Sequence, residues 1–375
     1  MMVVSIIILV FYSVLILMFV KGFDQIELFK PELKNPVINF SILIPFRNEA
    51  KNLSSLLESI ALLQYPNNKF EILMINDDST DESKAVINDF KRLHNNIELR
   101  LFENKRKSNS PKKDAIEIGI TNAQFDWIIT TDADCIIPKN WLFSFDGFIQ
   151  KEVPKMVVAP ISYKIKNRFL DKFQNLDILS LQGSTIGGFG IKKPFLCNGA
   201  NLCYNKDAFI KVNGFEGNNN ITSGDDIFLL EKMVQNYPDK VKYLKSQKAI
   251  IITKPEKNLR NLIHQRIRWA SKTSNYSNIF GKLIGITVFT TNALLVLLLF
   301  LATFNKISWQ HFGLFFLIKF NVDFILLYKT AVFFKQQDSL KVYLFSSILY
   351  PFFIVFIALT SVFKGYTWKD RKFSK

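Results

Sequence analysis

Hydropathy divides the chain into three stretches. Residues 1–20, MMVVSIIILVFYSVLILMFV, are almost wholly apolar; a mixed stretch follows; apolar character returns from Leu283 to Phe363. The first run is about long enough to cross a hydrocarbon core of roughly 30 Å. It has no Lys or Arg before the apolar run and no small-residue cleavage site after it. Residues 1–21 therefore read as an uncleaved anchor rather than a signal peptide. Lys21, Lys30 and Lys34 follow, and the positive-inside rule then places the next domain in the cytoplasm.

Within the mixed stretch, strand-length apolar runs alternate with helical patterns. NFSILIPF (39–46), FEILMIN (70–76), IELRLF (97–102) and FDWIITTD (125–132) read as strands. Helical periodicity runs from Glu49 to Leu63, around Asp81 to Leu93 and around Lys113 to Thr121. The alternation predicts an α/β domain with a mostly parallel sheet and right-handed crossovers. MVVAPISY (156–163) reads as one more strand. NRFLDKFQNLDILSLQG reads as an amphipathic helix, with the core and the membrane interface both open as its place. SGDDIFLLEKM reads as a helix start that Ser223 can cap, and NLRNLIHQRIRWASK as a basic helix ahead of the second apolar region.

In that region Leu283 to Thr303 and Tyr343 to Phe363 read as spans. The segment between them carries Lys319, Asn321, Asp323 and Lys329. Lys319 and Asp323, four apart, can pair on a helix. Three crossings would leave the basic tail outside, against the positive-inside rule. The expectation is therefore that the charged middle segment does not fully cross and that the tail is cytoplasmic. The predicted layout is an anchor (1–21), an α/β domain with interfacial helices (38–275), a membrane region of two to three helices (281–364) and a basic tail (365–375).

Composition changes the picture in two ways. The 49% hydrophobic fraction and 37 Phe suit membrane segments, and 48 Lys and Arg against 32 Asp and Glu give a net charge of +16. A basic balance fits nucleic acid, an anionic membrane surface or phosphorylated substrates. No zinc-finger or RNA-binding signature supports the first. Cys135, Cys197 and Cys203 lack CxxC spacing, so neither a metal site nor a disulfide framework is indicated. His94, His264 and His311 have no partner at ligand spacing.

In parallel α/β sheets ligands bind beyond the carboxyl ends of the strands. Arg47, Asn48 and Glu49 follow the first strand, Asp77 and Asp78 the second, Asp132 and Asp134 the fourth. One such loop is ordinarily a turn; three on one edge point to a crevice. The Asp-x-Asp pair suits a divalent metal that also takes phosphate oxygens. Asp226, at a helix start, is placed to act as a base, although an acid there also caps a helix. Trp269 offers a sugar an aromatic face, or anchors at a membrane boundary. Asn198 and Asn201 in CNGANL line an acceptor path or serve only the turn.

The ordered motifs PFRNEA, NDDSTDES, PKKDAIEIGI, DAD, CNGANL, SGDD and QRIRW resemble the inverting family-2 glycosyltransferases of the GT-A fold. The likeness is to the membrane-embedded branch with cellulose, chitin, hyaluronan and ceramide-glucosyl synthases, and runs from about Phe40 to Trp269. The resemblance implies that Asp77 contacts the donor's nucleobase and that Lys112 serves the pyrophosphate, with Lys113 also placed to do so. It implies that Asp134 ligates Mg²⁺ or Mn²⁺, with Asp132 supporting the ribose or the metal. Asp226 matches the general base, and Asp225 stands where Glu is more usual. Gln265, Arg268 and Trp269 form the QxxRW motif. Asp78 stands where the family usually has Gly, and Glu117 where Asn is common.

The implied protein is a multi-pass inner-membrane enzyme with a cytoplasmic catalytic domain. It would use a UDP-sugar, a lipid-linked or polysaccharide acceptor, membrane lipid and no nucleic acid. The rival class is a non-catalytic membrane protein that binds nucleotide sugars as the partner of a synthase complex.

Overall fold

The computed structural model describes residues 2–33, 35–219, 221–272, 275–363, 366–368 and 371–373. In chain order, the first elements are α1 (Met2–Gln25), β1 (Phe40–Phe46), α2 (Ala50–Ala61), β2 (Phe70–Asn76), α3 (Ser83–Leu93), β3 (Glu98–Glu103) and α4 (Pro111–Asn122). Then come β4 (Trp127–Thr130), α5 (Trp141–Glu152), β5 (Met156–Val158), β6 (Ile161–Tyr163), α6 (Phe169–Gly190), β7 (Leu202–Asn205), α7 (Lys206–Lys211) and α8 (Asp225–Asn236). The last are β8 (Val241–Tyr243), β9 (Ile251–Thr253), α9 (Leu259–Ala270), α10 (Ile279–Thr303), α11 (Trp309–Phe334) and α12 (Tyr343–Phe363). They form two compact units, one of residues 27–164 and 197–254, the other of residues 1–26, 165–196 and 255–375.

The first unit is built on a seven-stranded sheet of order β3-β2-β1-β4-β7-β5-β8. β3, β2, β1 and β4 run parallel, and β7 runs antiparallel to β4 and β5. β2 is buried along its whole length and β1 nearly so, as expected of parallel strands covered on both faces. Burial there includes an acid. Glu71 in β2 accepts from Ser41 Oγ at 2.6 Å and the Gln124 amide at 2.6 Å, and pairs with Arg100.

The run 156–163 is two strands, not one. β5 joins the main sheet, whereas β6 pairs with β9 in a separate parallel ribbon. Pro160 lies at the break; it has no N–H to give to a ladder, and its carbonyl accepts from Asn201 Nδ2 at 2.7 Å.

The second unit contains four helices long and apolar enough to cross a membrane: α1, α10, α11 and the segment Gln337–Phe363 that includes α12. The segment expected to stop short is thus a continuous 26-residue helix, α11. Its charge is compensated inside the unit. Lys319 Nζ meets Asp323 at 2.6 Å, as the spacing predicts, and the Tyr12 hydroxyl donates to the same carboxylate at 2.6 Å. Buried pairing of this kind is how ionisable groups are tolerated at membrane depth. Of the basic tail, Tyr366–Trp368 and Arg371–Phe373 pair as antiparallel strands; the remainder lies outside the described residues.

α6 belongs to this second unit, and it is not amphipathic. It is buried on nearly every side, because its polar residues find partners. Asn175 donates to Ser339 Oγ at 2.8 Å, Gln174 to the Glu256 carbonyl at 3.0 Å, and Asp177 accepts from Arg266 Nε at 2.6 Å and the Tyr350 hydroxyl at 3.0 Å. α6 crosses α1 closely at glycines. A Cβ on Gly190 would lie 1.9 Å from the Gly22 carbonyl oxygen, and one on Gly187 would lie 2.5 Å from that of Phe19. Backbone cannot yield as a side chain can, so Gly190→Val is expected to destabilise by at least the ~1–3 kcal/mol typical of overpacking. A thermal unfolding scan in detergent checks this; an unchanged midpoint would contradict the close crossing.

Candidate active site

The loops after β1 and β2 are joined by hydrogen bonds. The Asn48 amide donates to Ser79 Oγ at 3.0 Å, the Thr80 amide to Asn48 Oδ1 at 2.9 Å, and the Ala50 amide to Asp81 Oδ2 at 3.0 Å. Arg47 Nη1 donates to the carbonyls of Asp77 and Asp78, both at 2.8 Å. Asp78 has φ +61°, the left-handed region that favours glycine and, among other residues, tolerates Asn and Asp best. Asp therefore fills a place where glycine is the easier residue, and the Arg47 contacts hold it there.

The buried Asp77 carboxylate accepts from Asn104 Nδ2 at 3.0 Å and Arg106 Nε at 2.9 Å. Asn104 and Arg106 follow β3, and the sequence motifs did not single them out. Their signal was position: polar residues beyond a strand end, next to the strand that carries Asp77.

β1 separates β2 from β4, so the acids after β4 lie on the same edge of the sheet. Asp132 Oδ1 is 2.9 Å from Lys112 Nζ, and Asp225 Oδ2 is 3.4 Å from the same ammonium. Lys112 thus bridges the Asp-x-Asp loop and the start of α8. Burial by itself would lower the Lys112 pKa, but Asp132 and Asp225 outweigh it and hold the group above the ordinary lysine value. The lysine stays charged through any working pH.

Lys113 does not serve this site. It points into the unit and binds the loop before α8, so of the two candidates Lys112 faces the acids.

Gly224, with φ +87°, occupies the N-cap of α8. Ser223 does not cap; its Oγ is buried without a hydrogen-bond partner among the described residues. Asp226 turns back on the site, with Oδ2 accepting from the Gly199 amide at 3.1 Å and Oδ1 from the Ile227 amide at 2.9 Å. The turn at Gly199 is fixed in turn by Thr130 Oγ1 at the end of β4, which donates to the Gly199 carbonyl at 2.9 Å.

Asn198 accepts from the Ala200 amide and caps that turn. Asn201 is fully buried and accepts from Trp141 Nε1 at 2.9 Å. For both asparagines the observed contacts are turn and packing chemistry.

Asp134 is half-buried and adjoins Cys135, whose thiol is pushed well above the ordinary range by burial and then by Asp134 and Asp132. A neutral buried thiol is no nucleophile. Among the described residues no group of three or more His, Cys, Asp and Glu converges as a closed metal cage would. Two hard carboxylates on one loop fit Mg²⁺ or Mn²⁺, which take one or two carboxylates and complete their shell with substrate phosphates and water.

Gln265, Arg268 and Trp269 lie on α9, in the helical unit. Gln265 Nε2 donates to Glu256 Oε1 at 3.0 Å. The Arg266 guanidinium lies 4.2 Å from the centre of the Trp269 ring. Arg266 was not anticipated; it is buried and paired with Asp177.

Residues 41–212 match the family described as Glycosyl transferase family 2. This stretch is a family 2 glycosyltransferase domain. A poly-beta-1,6-N-acetyl-D-glucosamine synthase of Staphylococcus epidermidis is 30% identical over 165 residues, 44% of this chain and 38% of that protein. The Staphylococcus aureus protein of the same name is 28% identical over 252 residues, 63% of this chain and 56% of its own length. The chain therefore aligns with 38% to 56% of the length of these curated relatives. Among solved structures, a mannosyltransferase from Pyrobaculum calidifontis, in complex with GDP-Man and Mn²⁺, aligns over 94% of this chain and 98% of its own, with TM-score 0.60 and 15% identity. That likeness shows the GT-A fold, as expected from the motifs.

Proposed function

We propose that this glycosyltransferase moves a sugar, with inversion, from a nucleotide-diphospho-sugar to an acceptor held at a membrane. The observation that carries the reading is Lys112 between Asp132 and Asp225, with Asp226 beside them at the carboxyl edge of the sheet. Asp226 takes the proton of the acceptor hydroxyl as its oxygen attacks the anomeric carbon. The bond from that carbon to the diphosphate breaks, and the departing oxygen gains negative charge. Lys112 is a fixed positive charge for it, while Asp132 and Asp225 hold the ammonium in place. Asp77 binds the nucleobase, with Asn104 and Arg106 fixing its carboxylate.

Asp134, with Asp132, would hold Mg²⁺ or Mn²⁺, which when bound supplies charge neutralisation at the diphosphate. Gln265, Arg268 and Trp269 are assigned to the acceptor and leaving-group side. The names of the Staphylococcus relatives support UDP-N-acetylglucosamine as the first donor to try and a growing polysaccharide or lipid-linked sugar as acceptor. The four apolar helices support a multi-pass inner-membrane protein, and Lys21 near the end of α1 and Lys30 beyond it support a cytoplasmic catalytic unit.

Incubating the detergent-purified protein with a panel of nucleotide sugars and host lipids tests the reading. Nucleoside diphosphate release from one donor, with a glycosylated product, is the expected result. Binding of a donor without any turnover would favour the non-catalytic partner instead.

A further inference from the structure

Two lysines that the chemistry above does not use clamp the loop leading into the base-bearing helix. Lys232 Nζ donates to the carbonyls of Asn213, Gly214 and Glu216 at 3.2, 2.8 and 2.7 Å. Lys113 Nζ, on a side chain with 1% exposure, donates to the Asn218 carbonyl, Asn218 Oδ1 and the Ile221 carbonyl at 2.7, 2.8 and 3.0 Å. Its ammonium also lies 4.9 Å from the centre of the Phe228 ring.

An ammonium with three amide oxygens is in the place where a bound cation would otherwise organise a turn. The loop is also pinned by Phe215, buried against Phe209, while Asn213, Gly214 and Gly217 take φ of +54°, +40° and +85°; the two ammonium groups add fixed charged donors to the carbonyls that these turns leave outside a helix or strand.

The placement of the two lysines gives the clamp its meaning. Lys113 follows Lys112, the ammonium between the acids, on α4. Lys232 lies on α8, seven residues beyond Asp225 and hence on nearly the same face two turns on. The loop is therefore held by the same two helices that carry the charged groups of the site. Gly224, the last residue before Asp225, turns the chain into the helix with φ +87°, so the course of the loop ahead of it bears on where Asp226 points.

We propose that Lys113 and Lys232 are positioning residues that immobilise residues 213–218 and Ile221 and so hold Asp226 in its reactive orientation. The positioning claim rests on the function proposed above; the clamp itself does not.

The test uses full-length protein in detergent with Lys232→Met, Lys113→Met and the conservative Lys232→Arg. Hydrogen bonds to a charged group contribute enough that their loss is expected to speed amide exchange across 213–217 about tenfold or more in Lys232→Met. Exchange in β1 and β2 should be unchanged, which shows that the variant is folded. In the same variant kcat should fall about tenfold while the donor KM changes less than about twofold, because Asp226 and not the donor site is disturbed. Lys232→Arg should restore both.

Lys113→Met should act on 218–222 in the same manner; because its side chain is buried, Lys232→Met carries the decision if Lys113→Met does not fold. Unchanged exchange over the loop would overturn the clamp. Faster exchange with unchanged kcat would overturn the positioning role. If wild-type protein turns over no donor, the function reading fails and the positioning role falls with it, while the exchange arm still decides the clamp.

Discussion

Asp226→Asn is expected to cut sugar transfer by about 10²–10⁴-fold, the range that general acid–base catalysis contributes, with donor affinity kept. Asn preserves the shape of the side chain and can accept from the Gly199 amide through its carbonyl oxygen, as Asp226 Oδ2 does at 3.1 Å. What it removes is the capacity to take a proton. Asp225→Asn provides the control, because Asp225 Oδ2 lies 3.4 Å from the Lys112 ammonium, whereas the Gly199 amide donates to Asp226. Its loss should disturb the placing of the ammonium and so the leaving group. Steady-state transfer and equilibrium donor binding, measured on the same preparations, check the pair. Full turnover by Asp226→Asn would remove Asp226 from the role of base.

The second large effect is expected at the Asp-x-Asp loop. Chelation of divalent metal, or Asp134→Asn, should lower transfer by about 10²-fold or more, as loss of a major electrostatic stabiliser does. Mn²⁺ or Mg²⁺ should restore the chelated wild-type enzyme but not the variant. Asp132→Asn should differ from Asp134→Asn, since Asp132 already meets Lys112 at 2.9 Å. It should weaken transfer even where metal is saturating. Titration of activity against metal for the three proteins separates these cases. Metal-independent transfer by wild type would contradict the role assigned to the loop.

The parallel half of the sheet was legible because its strands are short, buried and bounded by polar loops. FEILMIN is the strand β2 residue for residue, and NFSILIPF exceeds β1 by one residue. The same cue failed at MVVAPISY, where both halves are buried and the apolar run is unbroken although the chain changes sheet at Pro160.

α6 misled for a different reason. Its Asn, Gln and Asp side chains imitate a solvent-facing stripe, and only distant residues such as Arg266, Ser339 and Tyr350 make their burial possible. Local hydropathy carries no record of a partner 80 or more residues away. The charged residues of α11 likewise have a partner far along the chain, since the Tyr12 hydroxyl on α1 donates to Asp323.

Among the candidate site residues, Asp77, Asp132 and Asp226 stood out by their places after strands and at a helix start, whereas Lys112 and Asp225 were suggested by the resemblance. Their mutual geometry was not legible. Which of Lys112 and Lys113 faces the acids depends on the rotation of α4, and the answer came from Lys113 binding the carbonyls of Asn218 and Ile221. Arg266 was hidden inside QRIRW, where two arginines two apart on a helix point to different sides.

The most direct test of the central claim is release of nucleoside diphosphate from nucleotide sugars by the purified full-length protein, with and without Mn²⁺, beginning with UDP-N-acetylglucosamine. The account predicts metal-dependent release from one donor, lost in Asp226→Asn. Absence of release from every donor despite demonstrated binding, or release that Asp226→Asn leaves intact, would contradict it.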